Sequence, residues 1–489
     1  MNLQLDLNTV DGYRDFLKVK SLPVYRFTGR DAWFPDEYAS LIGMKPAKAK
    51  AGKYTPRPWM FDYQRDIAKM AIQKQKYAVF ADCGLGKTPI FLEFMRHAAD
   101  VLPKGKAVLM VCPLMVVRQT IAEAKKFYGD ELQIEQVAAR DLPAWTQKGG
   151  RIGITNYDAI TDNVQQGRLG ALILDESSML KSHYGAWGTR LIELGRGLEW
   201  KLAGTGTPAP NDRIEYANHA VFLDHFPTVN SFLARFFVNR GETSNRWELK
   251  PHALRPFYRA LSHWCIFLTN PGVYGWKDNC GTLPPINVHI EDVDLTSNQR
   301  DAAQQASGDL FGTLGGIGSR AKIARIAKGI GVESLKPQYI VDRVRSFGDE
   351  SSIVWCRYNQ EQDMLAEMIP GAESISGDTP IEERERIVAA FQSGELRTII
   401  SKPKIMGLGL NLQICTRQLF STLQDSYEEY YQAVKRSNRY GSTKPLNVHI
   451  PVTDLERPMI ETVLRKAARV QSDADEQEQL FRESREAVL

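Results

Sequence analysis

The chain has 489 residues, 43% of them hydrophobic and 25% charged, which is enough for roughly two to four domains with full hydrophobic cores. It has no run of about eighteen or more apolar residues, and the start MNLQLDLNTVDGYRDF is neither basic nor apolar enough for a signal peptide. This argues against a membrane-spanning or secreted protein and gives the expectation of a cytoplasmic one. The net charge of +4 is too small to establish nucleic-acid binding by itself. The cysteines Cys83, Cys112, Cys265, Cys280, Cys356 and Cys415 lack CxxC spacing, so neither structural zinc nor a disulfide framework is expected.

In chain order, residues 1–53 form a small accessory element rich in aromatics, among them Tyr25, Phe27, Trp33 and Phe34, whose role the sequence does not state. At its end MKPAKAKAGKYTPRPW gathers Lys45, Lys48, Lys50, Lys53 and Arg57. Two readings stand level: a basic stretch following a phosphate backbone, or a solvated connector. The run KYAVFADCGLGKTPIFLEF is an apolar strand feeding a glycine turn, and it predicts a phosphate-binding loop. Gly84, Leu85 and Gly86 supply backbone N–H groups, Lys87 carries charge to the outer phosphates, and the Thr88 hydroxyl is a Mg²⁺ ligand. Pro89 suits the first turn of the helix that follows. Ala81 stands where the loop's first glycine is usual, and Cys83 inside the loop would make activity sensitive to alkylation.

Downstream, ALILDESSML ends an apolar strand in Asp175 and Glu176. With a phosphate loop upstream, Asp175 is expected to hold the Mg²⁺ that Thr88 also binds, and Glu176 to polarise the attacking water. Strands such as AVLMVCP and ALILDE alternate with amphipathic helices, which predicts a parallel sheet covered on both faces with its phosphate and metal groups at the carboxyl edge. Residues 212–348 are too long for a plain linker and carry helical patterns, NSFLARFF and RPFYRALSHWCIFL. Beyond them SSIVWCRYNQEQDML reads as a buried strand, and IEERERIVAAFQSG as a helix with Ile387, Val388 and Phe391 on one face.

Taken together these motifs resemble those of the superfamily 2 helicase-like ATPases, and within them the Swi/Snf-type double-stranded DNA translocases. MFDYQRDIAKMAI is similar to the family's adenine-reading motif, with Gln64 on the base edge. VCPLMVVRQT, with Pro113 and Leu114, and ITNYDAI, with Asn156, resemble segments that meet a nucleic-acid backbone. TGTPAPN, from Thr205 to Asn211, matches a turn that couples nucleotide to nucleic acid. IISKPKIMGLGLNLQ resembles the motif that brings Gly407, Gly409 and Asn411 to the cleft between lobes, with Ser401 and Lys402 as candidate backbone contacts and Gly409 on the nucleotide. YYQAVKRSNRYGSTKPLNVHIPVT resembles the signature whose arginines, here Arg436 and Arg439, reach the γ-phosphate.

The resemblance implies an α/β fold of two tandem RecA-like lobes with parallel sheets, a helical insertion between them and a small N-terminal element. The expected segments are 1–53, a first lobe at 54–211, the insertion at 212–348, a second lobe at 349–454, and a brace helix with an acidic tail at 455–489. It implies an ATP- and Mg²⁺-dependent motor moving on double-stranded DNA, with single-stranded DNA as a further substrate, no membrane partner, and a separately encoded nuclease or methylase as a possible associate. The near-minimal size resembles bacterial or phage members. A strand-separating helicase and an ATP-switched clamp are the alternatives; retention of Glu176, Arg436 and Arg439 speaks against the clamp, which could lose its hydrolytic groups. Three departures, Ser178 for a usual histidine, Lys435 for a glycine and Ser442 for a glutamine, touch coupling and not hydrolysis.

Overall fold

The computed structural model describes residues 1–22, 25–34, 36–45, 51–180, 186–210, 212–241, 247–277, 283–308, 317–406, 412–423, 427–439 and 442–486. They divide into two compact units, one of Met1–Asp82, Gly86–Asp278 and Asp473–Leu489, the other of Cys83–Leu85 and Asn279–Ser472.

The first unit is built on a seven-stranded, wholly parallel sheet. Its spatial order is Cys265–Leu268, Lys76–Ala81, Trp200–Thr205, Leu169–Asp175, Ala107–Cys112, Ile152–Asn156 and Glu135–Gln136. The four central strands are buried almost end to end, as strands covered by helices on both faces must be. The strand Cys265–Leu268 lies beyond the expected boundary at 211, in the stretch the sequence reading gave to a helical insertion, yet it pairs with Ala78–Ala81 in this sheet. The helix stops at Ser262, and the four apolar residues CIFL are too few to separate a buried strand from a helix turn by periodicity. The intervening segment does carry helices, Val229–Phe236 and Leu254–Ser262, with an antiparallel pair Phe237–Asn239 and Trp247–Leu249 between them. Phe232, Phe236, Phe237 and Phe257 pack there ring against ring.

The N-terminal element is a three-stranded antiparallel sheet, in the order Asn2–Gln4, Asp31–Trp33, Arg26–Thr28, with a helix at Val10–Ser21. The basic stretch after it is partly anchored. Tyr54 donates to the buried Glu93 at 2.6 Å, Tyr128 donates to the same carboxylate at 2.8 Å, and Arg57 pairs with Glu93 at 3.7 Å and with Glu131. Burial works to raise the Glu93 pKa, but Arg96 and the two tyrosine hydroxyls hold it below the usual carboxylate range. Lys48 and Lys50 lie outside the described residues.

The second unit holds a six-stranded parallel sheet ordered Ile286–Asp292, Leu446–Val452, Arg417–Phe420, Ser352–Trp355, Thr398–Ser401, Ala372–Ile375. Its first strand and the helix Lys336–Ser346, whose Ile340, Val341 and Val344 join the core around Val354, both precede the expected start at 349. The segment 286–292 is mostly exposed and so lacks the apolar run that marks the inner strands.

Beside this sheet lies a buried ionic knot. Glu456, 1% exposed, accepts from Lys328 at 3.1 Å and from Lys336 at 2.5 Å, while the Thr453 hydroxyl donates at 3.0 Å. Desolvation opposes the charge on Glu456, but two facing ammonium groups hold its pKa down to about 2.

The C-terminal helix Arg457–Glu486 contributes Ile460 and Val463 to the core of the second unit. Its residues from 473 onward belong to the first, where Gln477 accepts from the Tyr216 hydroxyl at 3.1 Å and Phe481 is buried against Phe267 and Tyr274. No helix among the described residues is long and apolar enough to cross a membrane.

Candidate functional site

The carboxyl edge of the first sheet collects the residues picked out by the sequence. Three neighbouring strands end there: Lys76–Ala81 runs into the phosphate loop, Trp200–Thr205 into the TGT turn, and Leu169–Asp175 into the acidic pair. The TGT strand lies between the other two, so it flanks both the loop strand and the acidic strand.

In the loop, Gly84 and Gly86 take φ of +90° and +64°, a region that disfavours side chains. Gly86 has a second constraint: a Cβ there would lie 2.4 Å from Gln64 Nε2. Gln64, in the helix Asp62–Lys74, is 4% exposed; its Oε1 accepts from Phe61 N–H at 3.0 Å and its Nε2 donates to the Gly86 carbonyl at 3.1 Å. The amide expected to read a base edge thus ties the preceding helix to the loop. Lys87 begins the helix Lys87–Val101 and donates to the carbonyls of Ala81 at 2.7 Å and Asp82 at 3.4 Å. Leu85 is buried, and Thr88 follows Lys87 in the helix's first turn.

The acidic pair is held from several sides. Tyr157 donates its hydroxyl to the Asp175 carbonyl at 2.7 Å, and the Asp175 carboxylate accepts from Glu176 N–H at 3.0 Å. Glu176 has φ of +58°, one of three described non-glycine residues in the left-handed region, an arrangement that costs on the order of 1 kcal/mol and needs local support. Its Oε1 accepts hydroxyl hydrogen bonds from Ser178 at 2.9 Å and from Thr205. Thr205 Oγ1 in turn accepts from Thr207 N–H at 3.1 Å. Ser178, the departure from the usual histidine, therefore orients the carboxylate. Behind the turn, Ser177 Oγ meets His219 Nε2 at 3.0 Å, and burial lowers the histidine's pKa to about 4, leaving a neutral ring at pH 7.

Two of the expected nucleic-acid contacts have their hydroxyls engaged inside the fold. Thr205 is fully buried with its hydroxyl on Glu176, and Ser401 is fully buried and donates to the Ile375 carbonyl at 2.7 Å, so both hydroxyls serve inside their own units. Each closes an inner strand of its sheet, where the last side chain turns into the core. Asn156 accepts from Ala159 N–H at 3.1 Å and caps a short turn. Pro113 precedes the helix Leu114–Tyr128, Leu114 is 50% exposed, and Lys402 donates to Asn359.

In the second unit Arg436 is buried in the last turn of the helix Tyr427–Ser437, and Arg439 lies two residues beyond its end. Ser442 accepts from Arg439 N–H at 3.2 Å and donates to the Ser437 carbonyl at 2.8 Å, so the residue replacing the usual glutamine fixes the chain that carries both arginines. Gly407, Gly409, Asn411 and Asn211 lie outside the described residues. Cys112, Cys265, Cys356 and Cys415 are buried, and desolvation raises all four thiols, Cys415 to about 12.

The Glu176–Thr205 and Ser177–His219 contacts have no local sequence signal, because each joins residues distant along the chain. Gly204 is another such case. A Cβ there would sit 2.2 Å from Phe91 Cζ in the loop's helix. Gly204→Ala is expected to destabilise the first unit by about 1–3 kcal/mol through overpacking, read as a lower urea midpoint; an unchanged midpoint would refute the close approach.

A family model for the SNF2-related domain matches residues 59–340, and one for the helicase conserved C-terminal domain matches 336–441. Protein p41 of Acyrthosiphon pisum secondary endosymbiont phage 1 is 24% identical over 442 residues, covering 81% of this chain and 92% of that protein. The DNA repair and recombination protein RAD54-like of Gallus gallus is 25% identical over 36% of this chain, and the ATP-dependent RNA helicase FAL1 of Kluyveromyces lactis is 24% identical over 27%. The chain spans only 25% of the former and 33% of the latter. The solved SWI2/SNF2 ATPase core of Sulfolobus solfataricus in complex with dsDNA aligns with a TM-score of 0.41 at 18% identity, over 89% of this chain and 97% of that one. With the SNF2-related model spanning more than half of its length, the chain belongs to the SNF2-related family of helicase-like, ATP-hydrolysing enzymes.

Proposed function

We propose that the protein is a DNA-stimulated ATPase that uses hydrolysis to translocate along double-stranded DNA. The observation that carries this reading is the Glu176 carboxylate, held at the carboxyl edge of the first sheet by hydroxyls of the acidic turn and of the TGT turn, whose strand neighbours the phosphate-loop strand. A carboxylate so oriented is suited to polarising water, which a passive nucleotide clamp does not require.

In this reading the backbone amides of Gly84 to Gly86 and the ammonium of Lys87 bind the phosphates, and the helix N-terminus adds its dipole. The Asp175 carboxylate and the Thr88 hydroxyl are oxygen donors of the kind Mg²⁺ takes, and no sulfur or imidazole is part of that pair. These two residues would hold a Mg²⁺ ion, which would supply charge neutralisation to the bound phosphates. Lys87 leaves the Ala81 and Asp82 carbonyls for phosphate oxygens, Glu176 takes up the proton of the attacking water, and Arg436 and Arg439 from the second unit stabilise charge on the γ-phosphate. The direct link from Glu176 to Thr205 offers a route by which the state of the nucleotide reaches the TGT turn.

Family membership and the DNA-repair name of the RAD54-like relative favour DNA as the track, whereas FAL1 is named for RNA. Steady-state ATP hydrolysis without polymer and with single-stranded DNA, duplex DNA and RNA decides among them. Duplex DNA is expected to stimulate most, and displacement of a triplex-forming strand without separation of the duplex is expected to follow. Equal rates with every polymer would reject the motor.

A further inference from the structure

A cleft of about 570 Å³ lies within the first unit, between its N-terminal element and the segments around its sheet. Among the described residues, four cations line it, Arg26, Lys76, Arg196 and Arg235, against one carboxylate, Asp224. That carboxylate is already engaged: it accepts from Lys76 at 2.8 Å and from Lys201, itself 1% exposed, at 2.7 Å. Asp224 also has φ of +59°, so its position is maintained against backbone preference. Burial brings the Lys201 pKa down to about 8 in spite of this partner. Arg196 is paired in turn with Glu193, its Nε donating at 3.0 Å, so with Lys201 counted five cations stand against two carboxylates and positive charge exceeds negative along the wall.

The cations come with aromatic rings. The Arg235 guanidinium lies 4.7 Å from the centre of the Tyr25 ring and donates to the Tyr25 carbonyl at 3.4 Å, and Arg26 lies 5.7 Å from the centre of the Trp33 ring. Arginine planes held beside rings pair well with a ligand that offers both an anion and a flat π-face. A simple inorganic anion would use only half of this wall.

We propose that the cleft is a second binding site, for a phosphate carried beside an aromatic ring, as in a free nucleotide or one nucleotide unit of a nucleic-acid strand. It is distinct from the hydrolytic site. Lys76 opens and Lys201 almost opens its strand, so the cleft lies at the amino edge of the sheet, whereas the phosphate loop and Asp175 follow the carboxyl ends. A strand of that length separates the two edges by roughly 17–20 Å. The proposal does not rest on the motor reading, and it gives the aromatic element of residues 1–34 a ligand-binding role.

The test uses the full chain with Lys87→Ala, which removes the loop's phosphate-binding ammonium. Calorimetry with dAMP and with deoxyadenosine, and anisotropy with a fluorescein-labelled thymidine octanucleotide, give the affinities. The expected result is binding of dAMP or the octanucleotide that weakens at least tenfold in Arg26→Glu with Arg196→Glu, two surface changes whose fold is checked by circular dichroism, and in Trp33→Ala. Deoxyadenosine is expected to bind at least tenfold more weakly than dAMP. Binding of dAMP would identify a free-nucleotide site; binding of the octanucleotide that millimolar dAMP does not displace would identify a strand-binding site. Binding of both probes unaffected by these variants, no binding of either, or equally tight binding of polyglutamate would overturn the proposal.

Discussion

Glu176→Gln is expected to lower ATP turnover by about 10²–10⁴-fold, the range for loss of a general base, while ATP affinity stays within a few-fold of the parent. The substitution keeps the shape and an oxygen able to accept from Ser178 and Thr205, so the turn that places the residue at φ of +58° keeps its support. What is lost is the negative charge that draws the proton from water. Lys87→Ala is expected to behave differently, losing affinity and turnover together, since its ammonium serves the phosphates in ground and transition states alike. Nucleotide binding by fluorescence and single-turnover hydrolysis separate the two patterns. Turnover near the parental rate in the glutamine variant would remove Glu176 from the mechanism.

Glu456→Ala is expected to destabilise the second unit by about 3–5 kcal/mol, because removing one partner leaves two buried ammonium groups facing each other. Burial and Lys328 already disfavour the Lys336 cation, and Glu456 is the larger of the two carboxylate influences that offset them, Glu361 being the other. The pH dependence follows in sign. The folded pKa of Glu456 lies near 2, below its ordinary 4.5, so the carboxylate's contribution is complete above about pH 4.5 and is lost as pH falls from there towards 2. Urea unfolding of the second unit between pH 7 and pH 3 is expected to show a decline in the parent that is shallower in Glu456→Ala. Identical slopes and midpoints would mean that the knot contributes nothing to folding.

The parts of this protein that were legible in its sequence are those coded by short-range pattern. The strand and turn of 76–88 and the apolar strand ending at Asp175 announce themselves through glycine chemistry and continuous hydrophobicity. The parallel sheet of the first unit follows from the same alternation, whereas the second was expected from the family resemblance. The strand Cys265–Leu268 was not legible, since four apolar residues behind a helix carry no period, nor was the exposed edge strand Ile286–Asp292. Within the site, the partners of Gln64, Thr205 and Ser401 inside the fold were not legible, since a motif records which residues stand in register and not where their polar atoms find partners. Gln64 turns to Gly86, Thr205 to Glu176 and Ser401 to Ile375, each across a gap in sequence that tertiary folding closes.

The last stretch of the C-terminal helix has a consequence for synthesis. Gln477 meets Tyr216 across 261 residues of sequence, and Glu478 meets Thr269 across 209. A ribosome adding roughly 5–20 residues per second reaches those partners on the order of ten to fifty seconds after the strands they complete. Phe267 and Tyr274 are therefore made well before Phe481, and the aromatic contacts that join them form only after the segment from 473 onward has been added.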